Sequence, residues 1–172
     1  FVLFKDQWTA ITGKSGIGKT SFMDVITGVA FPKVFNESLN TQKGRLNLKI
    51  DPLDKFIYLS QFNYIPNCPL TEYVANSNDS KFKKTNINFI FYLIKESGLA
   101  DELKIINKRD LYKNISENAS SISGGQAQRI FILRTIFEAK KKINNGYKIL
   151  AMDEPFKGLD ENTKNKCIYL LK

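Results

Sequence analysis

Histidine is absent from this sequence of 172 residues, and cysteine occurs only twice. The lack of histidine excludes histidine-based acid–base catalysis and most zinc sites. Cys68 and Cys167 are too few and too far apart for a disulfide framework, and they fit a reduced, cytosolic setting. No apolar run approaches the roughly 18 residues that a transmembrane helix needs. The composition therefore indicates a globular domain whose chemistry rests on other residue types.

The sequence also lacks the features of a leader segment. It opens on Phe1, with no methionine and no basic stretch followed by an apolar one. We therefore expect no signal peptide, and we expect the chain to begin inside a longer protein.

Basic residues outnumber acidic ones by 26 to 17, which gives a net charge of +9. Such an excess can indicate nucleic acid or an anionic membrane surface as a partner. Only 4 of the basic residues are arginine, however, and the scattered lysines accompany 16 asparagines. Aromatic and basic residues do not interleave as they do in channels that bind single-stranded nucleic acid. We interpret the excess as a compositional bias and expect no nucleic-acid partner.

The most specific pattern in the sequence is a glycine-rich loop. Residues 13–20 read GKSGIGKT and fit G-x-x-x-x-G-K-[ST] without a mismatch. The β-branched, apolar stretch Trp8–Thr12 predicts a buried strand before the loop, and Ser21–Gly28 has the apolar spacing of a helix after it. Strand, glycine loop and helix together form the context of a nucleotide-binding phosphate loop.

The residue types of this phosphate loop (residues 13–20) suit an anionic ligand. Glycines let the backbone bend around phosphates, and the amides near the helix N-terminus point at them. Lys19 would reach the β- and γ-phosphates, and the Thr20 hydroxyl would bind Mg²⁺. The predicted nucleotide-binding residues here are Gly13, Ser15, Gly16, Gly18, Lys19, Thr20 and Ser21.

Strands and helices alternate along the rest of the chain, which predicts a parallel sheet with crossover helices. Strands are expected at Gly44–Ile50, Phe56–Gln61 and Lys148–Met152. Helices are expected at Asn88–Ser97, ending at Gly98, and at Gly124–Ala139. Asn76–Asn86 is polar and rich in lysine, so we expect a surface loop there.

An acidic pair follows the apolar stretch Lys148–Met152. At the carboxyl edge of a parallel sheet, Asp153 could hold Mg²⁺ and Glu154 could act as general base on the attacking water. The same pair, taken alone, could simply cap the following helix.

A third motif, Ser-Gly-Gly-Gln at residues 123–126, opens the helix predicted at Gly124–Ala139. A serine hydroxyl and glycine amides at a helix N-terminus can bind an anion, although alone they could be an ordinary helix cap. The order of phosphate loop, Ser-Gly-Gly-Gln and Asp-Glu-Pro resembles the ATP-binding cassette (ABC) family of ATPases. Ile122–Gln126 resembles its signature, Gln61 its glutamine loop and Gly158–Asp160 its aspartate loop.

This resemblance implies an α/β fold: a P-loop NTPase (RecA-like) core on a mostly parallel sheet, with an inserted helical subdomain. Residues 1–62 and 140–172 are expected to form the two parts of the nucleotide-binding core. Residues 63–139 are expected to form the helical subdomain that carries the signature.

The resemblance also implies a role for each site residue. In the family two cassettes pair head to tail, with ATP between the phosphate loop of one and the signature of the other. Ser123, Gly124, Gly125 and Gln126 would contact nucleotide bound to the partner cassette. Gln61 would join Thr20 and Asp153 around Mg²⁺ and sense a membrane partner. The catalytic residues implied are Glu154, Gln61 and Lys19, and Asp160 would bridge the dimer.

The implied partners are a second nucleotide-binding domain and the transmembrane domains of a transporter, at the cytoplasmic face of a membrane. Pro69–Val74 resembles the Thr-led helix of exporter cassettes. Lys113–Ala119 stands where exporters have a Thr-Glu-Val-Gly loop, of which only Glu117 remains. The segment Lys157-Gly158 departs from the family's Ser-Ala.

Two other functions stay open. A soluble ABC ATPase acting on ribosomes or DNA would be stimulated by nucleic acid. A regulatory module would bind ATP with Mg²⁺ without releasing phosphate.

Overall fold

The computed structural model describes residues 7–29, 56–61, 64–115, 122–142 and 149–172. The chain divides into two compact units, Phe1–Asp54 and Lys55–Lys172. The predicted boundaries at residues 62 and 139 stay a prediction. The expected strand Gly44–Ile50 and the residue Glu117 lie outside the described residues.

The first unit holds helix α1, which spans Lys19–Ile26. The helix begins directly after Gly18, whose φ of 96° lies in the left-handed region that glycine adopts without strain. Met23 and Ile26 are buried on one side of it. The helix predicted from the apolar spacing after the phosphate loop is therefore confirmed, with an earlier start.

Two parallel strands form the described sheet in the second unit. Strand β1 spans Phe56–Leu59, strand β2 spans Ile149–Met152, and Phe56 pairs with Ile149 in register. The pairing continues past the strand ends, because the Asp153 amide donates to the Leu59 carbonyl at 2.9 Å. Both strands were expected from their apolar sequences, and their parallel pairing agrees with the α/β fold.

The buried strand expected at Trp8–Thr12 is wrong. Residues 7–14 form neither helix nor strand, and Trp8 and Ile11 are 64% and 38% exposed. An apolar, β-branched stretch becomes a strand only where a neighbour supplies hydrogen-bond partners. The described sheet pairs β1 with β2 and includes none of these residues.

Helices make up most of the remaining described residues in the second unit. Their bounds are α2 Leu70–Ala75, α3 Ser80–Glu96, α4 Leu99–Glu102, a short 3-10 turn at Asp110–Tyr112, α5 Gly124–Lys142 and α6 Glu161–Leu170. The helices expected at Asn88–Ser97 and Gly124–Ala139 are confirmed within α3 and α5. No described helix has both the length and the apolar composition that crossing a bilayer requires.

Helix α3 begins earlier than expected and replaces part of the predicted loop Asn76–Asn86. Asp79 caps its N-terminus by accepting a hydrogen bond of 2.8 Å from the Lys81 amide. Lys83 is 8% exposed and binds Glu72 of α2 at 2.7 Å. The loop prediction was wrong for residues 80–86, because a lysine counted as solvated is buried there and pairs with the partly exposed Glu72 of another helix.

Helix α5 is the centre of the core in this unit. It packs against β1, α2, α3 and α6. Ile130, Ile132 and Leu133 are fully buried, and Phe131 is 8% exposed, so burial extends around much of the helix rather than along one narrow stripe. The position of α5 in the core therefore fixes the position of the signature, residues 122–126, at its N-terminus.

Candidate functional site

The phosphate loop in the first unit curls around its own lysine. Lys19 Nζ donates to the carbonyl oxygens of Gly13 and Lys14 at 2.9 and 3.0 Å. Gly16 and Gly18 have φ angles of 78° and 96°, which a side chain would strain. The loop thus turns at two left-handed glycines and places the Lys19 ammonium group against the carbonyls of Gly13 and Lys14.

The polar residues of the loop lie at or near the N-terminus of α1. Lys19 and Thr20 begin the helix and are partly buried, while Ser15, Gly16 and Ser21 are exposed. A Cβ on Gly13 would lie 3.2 Å from Ile17 Cγ2, so a side chain there would crowd the bend. Exposed amides at a helix N-terminus, with a lysine beside them, fit the phosphates of ATP.

Polar residues meet at the carboxyl edge of the sheet in the second unit. Gln61 follows β1 and Glu154 follows β2, and Gln61 Nε2 donates to Glu154 Oε2 at 3.0 Å. Asp153 lies beside them and is 7% exposed. The parallel register explains the meeting, because the carboxyl ends of paired parallel strands lie at the same edge.

Glu154 occupies an unusual backbone conformation. Its φ is 46°, in the left-handed region that few non-glycine residues adopt. Its carboxylate also binds Lys157 Nζ at 2.8 Å. Such backbone strain concentrates at functional sites, since surrounding contacts must hold it in place.

The donors at this edge suit Mg²⁺ in kind. The amide nitrogen of Gln61 is used in the bond to Glu154, which leaves its amide oxygen as a possible ligand. With the nearly buried Asp153 carboxylate, this gives the oxygen donors that Mg²⁺ prefers. Thr20, the third predicted ligand, belongs to the other compact unit, and its part in a magnesium site stays a prediction.

The signature begins α5 with a reciprocal cap. Ser123 Oγ accepts from the Gln126 amide at 3.2 Å, and Gln126 Oε1 accepts from the Ser123 amide at 3.0 Å. This is the capping-box geometry, with glutamine in the acidic position. The cap explains why the helix starts at Gly124, and it leaves Ser123 and Gly124 exposed.

Sequence reasoning missed Glu102 and Arg129. Arg129 is 5% exposed within an otherwise apolar stretch of α5, and it binds Glu102 of α4. An arginine placed where the helix is buried needs a partner, and that signal was available in the sequence. The identity of the acidic partner could not be read from the sequence, because Glu102 comes from a separate helix.

The signature and the aspartate loop (residues 158–160) contact each other within this chain. A Cβ on Gly125 would lie 3.6 Å from both the Gly158 carbonyl oxygen and Leu159 Cδ2. Gln128 Nε2, one turn along α5, donates to the Pro155 carbonyl at 2.8 Å. The start of α5 is therefore attached to the turn that follows Glu154.

Asp160 has a local role in the structure. Its carboxylate caps α6 by accepting from the Thr163 amide at 3.0 Å. Hydrogen bonds from the Thr163 side chain and backbone hold the pKa of Asp160 below its usual range. Its predicted contact with a second cassette stays a prediction.

Comparison with known proteins gives a consistent family. A family model described as "ABC transporter" matches residues 1–157. The lacticin-481/lactococcin-DR transport/processing ATP-binding protein lcnDR3 of Lactococcus lactis subsp. lactis is 28% identical over 166 residues, which cover 95% of this chain and 21% of that protein. The lipoprotein-releasing system ATP-binding protein LolD of Buchnera aphidicola subsp. Acyrthosiphon pisum is 28% identical over 182 residues, covering 99% of this chain and 70% of LolD.

A further relative carries the name of an importer component. The phosphonates import ATP-binding protein PhnC 1 of Nostoc sp. is 27% identical over 172 residues, with 96% of this chain and 61% of PhnC 1 covered. This chain thus spans about a fifth of the length of lcnDR3 and less than two thirds of PhnC 1. Because the family model extends from the first residue through the acidic pair and beyond it, the chain belongs to the ABC transporter family.

Proposed function

We propose that this chain is the ATP-binding and ATP-hydrolysing cassette of a membrane transporter, and that ATP drives its pairing with a second cassette. One observation carries the catalytic part of this proposal. Gln61 and Glu154, which lie far apart in the sequence, are hydrogen-bonded at the sheet edge beside the nearly buried Asp153. An amide and two carboxylates at that edge suit water activation next to a metal-bound phosphate.

Binding of ATP falls to the phosphate loop. The γ-phosphate would replace the Gly13 and Lys14 carbonyls as the partner of Lys19, since an anion attracts an ammonium group more strongly than a carbonyl does. The loop amides and the start of α1 would hold the remaining phosphate oxygens. Mg²⁺, held by Thr20, Asp153 and Gln61, would neutralise charge that develops on the phosphates.

Hydrolysis requires a base that can take a proton from water. Glu154 supplies a carboxylate, and Gln61 restrains it from one side. The Lys157 ammonium group forms an ion pair with Glu154 Oε2, the same oxygen that accepts from Gln61, and so restrains the carboxylate further. We propose that these contacts orient Glu154 toward the attacking water once nucleotide is bound.

The signature is proposed to act on nucleotide held by a second cassette. Ser123 and Gly124 are exposed at the start of α5, where the amides and the positive end of the helix dipole favour an anion. Gly125 and Gln126 complete that turn, and Asp160 would bridge the pair. The capping box supports this role because it fixes the turn before any ligand arrives.

The transport setting is proposed from the relatives. Their names include transport/processing, lipoprotein-releasing and phosphonates import proteins. We propose transmembrane domains as partners and the cytoplasmic face of a membrane as the location. Export stays our prediction for the direction of transport, from the Pro69–Val74 segment.

The decisive experiment is Glu154→Gln in the full-length protein. Loss of the base should stop turnover, and the ATP-bound pair of cassettes should accumulate, as measured by phosphate release and by gel filtration with Mg²⁺ and ATP. Glu161→Gln is the matched control, since Glu161 is an exposed acid in the first turn of α6. Turnover at the unaltered rate in Glu154→Gln would rule out the assigned base.

A further inference from the structure

The first turn of α5 is tied to α4 by three side chains, Glu102, Gln126 and Arg129, which we call the signature clamp. Glu102 ends α4, while Gln126 and Arg129 lie in the first turns of α5. Gln126 belongs to the signature, and Glu102 and Arg129 lie outside it. The clamp therefore joins the signature to α4 through Glu102 and Arg129, which are not among the predicted site residues.

Arg129 uses most of its donors in this clamp. Its two terminal nitrogens bind the two Glu102 oxygens, with Nη1 to Oε1 at 2.7 Å and Nη2 to Oε2 at 2.5 Å. Nε donates to the Gly125 carbonyl at 3.2 Å, and Nη1 also donates to the Ser97 carbonyl at 3.2 Å. A two-pronged guanidinium–carboxylate pair fixes orientation as well as distance.

Gln126 is held from both ends of its amide group. Its nitrogen donates to Glu102 Oε2 at 3.1 Å, and its oxygen accepts from the Ser123 amide at 3.0 Å. Glu102 thus determines which way the amide faces, and the amide in turn completes the cap of Ser123. A chain of hydrogen bonds leads from Glu102 to the exposed serine of the signature.

The charge of Glu102 is needed for this arrangement. Hydrogen bonds from Arg129, and to a lesser degree from Gln126, hold the pKa of Glu102 below its ordinary range, so both oxygens accept at neutral pH. A glutamine in its place has the same shape but only one acceptor oxygen. Its NH₂ group would then face either Arg129 or Gln126, both of which also donate.

We propose that Glu102 is a positioning residue for the signature, acting through Gln126 and Arg129 to hold Ser123 and Gly125 where they meet the phosphates of a partner's ATP. This inference rests on the proposed function for its effect on catalysis. The part that concerns the geometry of the turn stands on the contacts of this chain. The two parts can therefore be tested separately.

The test compares Glu102→Gln with Asp101→Asn in the full-length protein. Asp101 is the matched control, because it is an exposed acid in the same short helix and adjacent in sequence. The first measurement is amide hydrogen exchange at Gln126, whose N–H is bound by Ser123 Oγ. We expect Glu102→Gln to speed this exchange about tenfold, as loss of a charged hydrogen bond predicts, and Asp101→Asn to leave it unchanged.

The second measurement separates ATP affinity from turnover. For Glu102→Gln we expect kcat to fall about tenfold while ATP affinity stays within about twofold, because the phosphate loop is untouched. An unchanged exchange rate at Gln126, or equal changes in both variants, would overturn the positioning role. The positioning role would also be overturned if ATP affinity, kcat and melting temperature all fell in Glu102→Gln, since that pattern means general destabilisation. If the unaltered protein does not hydrolyse ATP, the proposed function fails, and the exchange measurement still decides the geometry of the turn.

Discussion

Gln61 and Glu154 are joined by a hydrogen bond of 3.0 Å across 93 positions of sequence. The contact exists because β1 and β2 are paired in parallel register, so the residues that follow them emerge at the same edge of the sheet. Glu154 adopts a left-handed backbone at this point, and its carboxylate contacts both Gln61 and Lys157. The base proposed for hydrolysis is therefore restrained by its backbone and by its neighbours.

Replacing Gln61 tests whether this restraint matters for turnover. We expect Gln61→Ala to lower kcat about ten- to a hundredfold, because a hydrogen bond to the ionised Glu154 is lost along with a ligand proposed for Mg²⁺. Steady-state phosphate release at saturating ATP gives the rate. Asn78→Ala, at an exposed position in the same unit, should keep full activity. Wild-type kcat in Gln61→Ala would remove Gln61 from the catalytic set.

The core around α5 should be sensitive to truncation. Leu133 is fully buried, so Leu133→Ala should lower the free energy of unfolding by about 2–5 kcal/mol through lost apolar contact and the cavity left behind. Urea denaturation followed by circular dichroism measures the change. Tyr169→Ala is the control, since Tyr169 is 66% exposed and should alter stability by no more than about 0.5 kcal/mol. Equal losses in the two variants would contradict the central position of α5.

Acid should weaken the signature clamp. The pKa of Glu102 is lowered in the folded chain, mainly by the hydrogen bond from Arg129, which outweighs the opposite effects of burial and of the nearby Asp160. Its contribution to stability is therefore complete above the unfolded pKa of about 4.3 and is lost as pH falls through the folded value. The melting temperature of the unaltered chain should fall more steeply below about pH 4.3 than that of Glu102→Gln. Parallel curves for the two proteins would contradict the ion pair.

The two cysteines should differ in their reaction with thiol reagents. Burial raises the pKa of Cys167 to about 11, and this thiol is fully inaccessible in α6. At pH 8 only about one Cys167 in a thousand would be a thiolate, so Cys68, which is partly exposed, should react first. Cys68→Ser should lose the fast phase with Ellman's reagent, and Cys167 should react only after unfolding. A fast phase that persists in Cys68→Ser would show that α6 opens readily.

Local patterns predicted the motifs and the elements that carry them. Helix α1 follows the glycines of the phosphate loop and starts directly after Gly18, and the apolar residues Ile130, Ile132 and Leu133 of α5 are buried as expected. These predictions depend on neighbours in sequence. The parallel arrangement that unites Gln61 with Glu154 followed from the alternation of strands and helices.

Contacts between distant segments account for the rest. Lys83 was expected in a solvated loop, but it lies in α3 and pairs with Glu72, a residue of another helix. Arg129 binds Glu102, 27 positions earlier in the sequence, and no periodicity in the sequence predicts this pairing. Trp8–Thr12 has the composition of a strand, yet composition supplies no partner for its hydrogen bonds.

Helix α5 gives one rigid connection between two ends of the proposed reaction. Its first turn presents Ser123, while Gln128, one turn further, holds the carbonyl of Pro155 directly after Glu154. A tilt of α5 would therefore move the serine and the base together. In a pair of such chains, nucleotide seated against the signature of one copy would bias the catalytic geometry of that same copy. Because such coupling is reciprocal, the nucleotide bound to that copy's own phosphate loop would alter the affinity of its signature for the nucleotide of the other copy. This coupling is a route to cooperative ATP turnover.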